Sequence, residues 1–77
     1  MNREDTRVAL QRVFEDVFAD NPFEFADSLS RETLEAWDSL GHIRLIAATE
    51  EAFDVRFTID EIEKLTSVAR ILERLDA

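Results

Sequence analysis

The chain has 77 residues, 45% of them apolar, with eighteen acids against nine bases and a net charge of −9. That length suits one domain, 1–77, and is too short for two. With no cysteine, the sequence excludes a disulfide framework, a cysteine zinc site and a thiol nucleophile of its own.

The acid surplus disfavours nucleic acid and anionic membranes as partners and favours basic protein surfaces. No run of ~20 apolar residues is long enough for a membrane span. Met1 to Asp5 lacks the apolar core of a signal peptide, so a cytoplasmic protein is expected, and a monomer is expected as well. Acids and bases are spread evenly: residues 1–37 hold nine and four, residues 38–77 nine and five. Six phenylalanines and a tryptophan distinguish the chain from a disordered acidic one.

The first element is read from Leu10, Val13, Phe14, Val17 and Phe18, which repeat as one buried helix face. Glu4 and Asp5 fall in its first turn, where the helix dipole favours negative charge. Asp20-Asn21-Pro22 stops it, since the residue before proline is pushed out of helical geometry. The prediction is a helix over 4–19. Residues 20–37 have no clean period, yet Phe23, Phe25, Leu29, Leu34 and Trp37 predict a long loop packed across the other elements. A short helical turn is expected near 31–34.

Asp38-Ser39 opens a second helix reaching about Phe53, and either residue can cap it. At 100° per residue, Ile46 and Phe53 align, with His42 and Thr49 beside them and Leu45 on the flank. This apolar sector is wider than one neighbour needs, leaving some of Leu40, Ile43 and Ala47 for solvent. Residues 53–57 alternate like a strand, but no second strand exists to pair with them, so they read as an extended connector. Thr58 and Glu61 fit a capping box, with Phe57 and Ile62 spaced for a hydrophobic staple, opening a short helix over about 59–64. Thr66 or Ser67 caps the last helix, whose inner face holds Val68, Ile71, Leu72 and Leu75. The expected class is all-α: a four-helix bundle with a long first loop and a short third helix. Its core is expected to hold Val13, Phe14, Val17, Phe18, Ile46, Phe53, Ile62, Val68, Ile71 and Leu72.

Catalytic equipment is sparse. A lone histidine, His42, builds neither a metal site nor a catalytic pair with cysteine, and its place predicts a core imidazole bonded to a loop carbonyl. The one glycine, Gly41, cannot make a phosphate loop, and the acids lack calcium-loop spacing. Neighbouring carboxylates such as Glu50 and Glu51 diverge on a helix and read as a solvated face rather than an acid–base pair. No enzyme activity and no metal are expected.

One constellation remains: Trp37-Asp38-Ser39-Leu40 at the start of the second helix. With the length, acidity, helix order and long first loop, it resembles the acyl carrier protein family, across essentially the whole chain. The stretches Trp37 to Ile43, Glu50 to Phe57 and Thr66 to Val68 look like that family's second helix, following loop and entry to the last helix. The resemblance implies that Ser39, within Asp38-Ser39-Leu40, carries a covalent 4′-phosphopantetheine derived from coenzyme A. It also implies partners: a phosphopantetheinyl transferase, and acyl-loading and acyl-modifying enzymes with basic docking surfaces. The partner-facing positions implied are Leu40, Ile43, Ala47, Glu50 and Glu51, with Asp60, Glu61 and Glu63 beyond. Residues 50–63 hold six acids against Arg56 alone, a local net charge of −5.

The chain departs from the family at Ala36, where glycine is frequent, and at Gly41 and Arg44, where fatty-acid carriers often place acids or other polar groups. These departures incline the resemblance toward discrete polyketide or nonribosomal carriers. The alternative is an acidic four-helix interaction module without a prosthetic group, in which Ser39 only caps a helix. A small hydrolase would need a base near Ser39; His42 lies one turn on, with no third group evident to orient it.

Overall fold

The structure, a computed structural model, describes residues 2–76. Met1 and Ala77, the outer residues of the 1–77 reading, lie outside it. Four helices follow in chain order: α1 (Arg3–Val17), α2 (Ser39–Phe53), α3 (Ile59–Lys64) and α4 (Val68–Asp76). Among the described residues there are helices and no strand; the one β-type contact is an isolated bridge between Ser30 and Ser67. The all-α expectation holds.

Helix α1 starts one residue earlier than predicted because Asn2 caps it, accepting a hydrogen bond from the Asp5 amide at 2.9 Å. It ends two residues earlier, where the Phe18 and Asn21 amides turn the chain towards Pro22. The first loop packs as expected, through aromatic rings. Phe14 on α1 meets Phe23, Phe25 and Trp37 at centroid separations of 6.2, 5.4 and 5.2 Å. The helical turn expected near 31–34 is there as a single hydrogen-bonded turn, in which the Thr33 and Leu34 amides both donate to the Ser30 carbonyl, and it is not continued into a helix. Backbone bonds from Val68 to Leu29 and from Arg31 to Thr66 fasten this loop to the start of α4.

α1 packs against both α2 and α4. The core is centred on Leu10, Phe14, Trp37, Leu45, Val68, Ile71 and Leu72, all nearly inaccessible to solvent. Three expected core residues, Val17, Phe53 and Ile62, are only partly buried. Leu45, expected at the flank of α2, is fully buried, because the face of α2 that meets α1 is rotated towards it. Leu29, Leu34 and Leu65 complete a core that the loop and connectors share with the helices.

Candidate functional site

The start of α2 is built by two adjacent residues with different tasks. Asp38 is the cap: its backbone is extended and its Oδ1 accepts the Gly41 amide at 2.8 Å. Ser39 is the first helical residue and is exposed. The carboxylate therefore occupies the capping position that either residue was expected to fill, and the hydroxyl of Ser39 is not used to start the helix. Gly41 is buried where the helix leaves this turn. A Cβ there would stand 2.4 Å from the Ala36 carbonyl oxygen, so only glycine lets the chain before the cap lie this close.

Behind the turn lies a buried polar chain. Trp37 Nε1–H donates to His42 Nδ1 at 2.9 Å, and His42 Nε2 stands 2.7 Å from the Ile62 carbonyl. Indole N–H is a donor only, so His42 Nδ1 accepts and its Nε2 carries the hydrogen that goes to Ile62. His42 is a core histidine, but its carbonyl partner lies in α3 rather than in a loop. Both ring nitrogens are engaged away from Ser39, so the imidazole is not a base for that hydroxyl. Sequence periodicity missed this chain because Trp37 lies outside any helix; the single Trp and single His five residues apart were the only signal.

Along α2, Leu40 is 58% exposed and Ile43 64%, and Ala47 is also exposed. These positions follow one another at helical spacing from Ser39 toward Glu51. Ile59, at the first position of α3, is a further exposed apolar side chain that the sequence reading did not single out. Ala47, Glu50 and Glu51 line one depression together with Asp54, Val55 and Arg56. Asp60, Glu61 and Glu63 do not line it.

The acids separate by role. Glu50 is half-buried and its Oε2 accepts the Phe57 amide at 2.8 Å, pinning the connector between α2 and α3. Glu61 accepts the Thr58 amide at 2.9 Å in the capping box and pairs with Arg74 of α4. The Thr58 backbone bond first, and then Arg74, hold the Glu61 carboxyl below the ordinary carboxylate range. Glu51, Asp60 and Glu63 are exposed and take part in no ion pair among the described residues.

The second Asp-Ser-Leu triplet, Asp27-Ser28-Leu29, lies in a turn of the first loop, with Asp27 paired to Arg7. No group of three or more potential metal-ligating side chains occurs among the described residues, and no described helix is long and apolar enough to cross a membrane. No protein-family model, curated protein or solved structure matches the chain.

Proposed function

We propose that this chain is a carrier protein that holds acyl or aminoacyl groups on a 4′-phosphopantetheine arm attached to Ser39. The observation that carries the reading is the division of labour at the start of α2: Asp38 caps the helix, which leaves the exposed Ser39 hydroxyl free to be esterified. The residues present fit the group. A phosphodiester on Ser39 would sit at the positive end of a fifteen-residue helix, next to first-turn backbone amides. The arm brings a terminal thiol that holds cargo as a thioester, a chemistry the cysteine-free chain lacks.

Arm addition would form one bond, from Ser39 Oγ to the phosphorus of coenzyme A that bears the pantetheine. The bond to the adenosine-bearing phosphate breaks, and the serine proton passes to a base of the transferase. The protein's own part is to present the hydroxyl and to dock. Leu40, Ile43 and Ala47 offer an apolar strip beside Ser39, and Glu51, Asp60 and Glu63 offer charge for a basic partner surface. The acyl-carrier-like four-helix arrangement is part of the same proposal.

Intact mass after incubation with coenzyme A and a broad-specificity phosphopantetheinyl transferase tests it. One arm should be added to the wild type and none to Ser39→Ala. A wild type that gains no mass leaves the prosthetic-group-free interaction module, and an arm that persists in Ser39→Ala moves the site, with Ser28 the first suspect.

A further inference from the structure

We propose that Trp37 and His42 form a buried tether that fixes α3 to the beginning of α2, making His42 a positioning residue for the acids that α3 presents. Helix α3 has only six residues and none of them is buried, so neither its length nor a core of its own holds it in place. Its capping box is internal to it. Its outward ties are the partial packing of Ile62 against the core and two polar ones, the ion pair from Glu61 to Arg74 of α4 and the hydrogen bond from His42 to the Ile62 carbonyl, with the buried Leu65 following the helix.

The second of these ties is rigid at its root. Trp37 is 1% exposed and wedged edge-on against Phe14, so its N–H has a fixed direction. By donating to His42 Nδ1 it selects the tautomer with hydrogen on Nε2 and aims that hydrogen at α3. Orientation thus passes from the aromatic core through an indole and an imidazole to a helix carbonyl. His42 lies one turn beyond Ser39, so the same tether sets how Asp60 and Glu63 stand relative to the Ser39 turn. That last, functional step rests on the carrier reading; the tether itself does not.

The test compares His42→Leu, which keeps an apolar body but ends both bonds, with His42→Gln, whose amide can accept from Trp37 and donate to Ile62. Native-state amide exchange is read at Ile62 and Leu65, whose amides bond within and just after α3, and at Phe14 and Ile71 in the main core. In His42→Leu, Ile62 and Leu65 should exchange about tenfold faster or more, relative to the core amides, and His42→Gln should restore part of the protection. Unchanged exchange at Ile62 and Leu65, or an equal acceleration at Phe14 and Ile71, would overturn the tether.

Arm addition then reads the functional step. His42→Leu should be modified at Ser39 several-fold more slowly than wild type, with recovery in His42→Gln. Modification of His42→Leu at the wild-type rate overturns the positioning role. A wild type that accepts no arm at all removes the carrier reading and with it the functional step, while the exchange result still decides the tether.

Discussion

Asp38 and Ser39 are adjacent, yet the helix uses only Asp38 as its cap. Removing that carboxylate in Asp38→Ala strips the cap from the Gly41 amide and should cost about 1 kcal/mol. Ser39→Ala should change stability by less than about 0.5 kcal/mol, as an exposed substitution that breaks no cap. Urea titrations of the two variants check this, and equal losses would mean that the hydroxyl shares the capping. A similar contrast separates two neighbouring acids. Glu50→Lys leaves the Phe57 amide without its partner and should cost about 1–3 kcal/mol, whereas Glu51→Lys should be nearly neutral in the same titration. Reversing Glu50 therefore tests the connector as well as docking; Glu51, Asp60 and Glu63 are the cleaner positions for charge reversal.

At the scale of elements, the attachment of α3 responds to pH through Glu61. The Glu61 carboxylate is favoured in the folded chain by the Thr58 amide and Arg74, so its folded pKa lies below the unfolded one. Its stabilisation is present above the ordinary carboxylate range and is lost as pH falls through the depressed folded value. The stability difference between wild type and Glu61→Gln should therefore shrink on acidification, measured by thermal melts from neutral to acid pH. Helix α1, the capping box and the last helix were legible in the sequence because each has a local signal: a 3.6-residue period, a Thr-to-Glu spacing, or a serine before an apolar face. Ser67 does cap α4, accepting the Arg70 amide at 3.2 Å. Trp37, Leu29 and Leu34 were less legible as core, since they lie in a loop with no period and are buried by partners distant in sequence. The same limit applies at the site. Ser39 and the apolar strip can be placed by counting along α2, but the engagement of Glu50 and the tie from His42 to Ile62 depend on where the chain returns.

Across the whole molecule, one aromatic cluster joins α1, the first loop and the start of α2. Phe14 is at its centre, and Phe14→Ala should cost about 3–5 kcal/mol, a large part of the total stability of a domain this small. Calorimetry would show this as a large fall in Tm; a melt like that of the wild type would place the centre of the core elsewhere. The charge acts at long range instead. If the chain is the carrier proposed above, then with a net −9 and exposed acids at 51, 60 and 63 its docking to a phosphopantetheinyl transferase should slow as salt rises, because screening shortens the reach of these charges to about 8 Å at physiological ionic strength. Stopped-flow association at increasing salt measures it, and a flat dependence would leave docking to the apolar strip.

The same cluster gives the protein a built-in optical probe. Trp37 is the only tryptophan, and the chain has no tyrosine, so the long-wavelength ultraviolet emission comes from one indole. That indole touches Phe14 and Phe18, lies two residues from Ser39 and is hydrogen-bonded to the imidazole that reaches α3. In the folded chain it is shielded from water and its emission should lie to the blue; opening of the core moves it to the red. A single unlabelled signal can therefore follow unfolding, partner docking and any event at Ser39 in real time, at the junction where the loop and two helices meet.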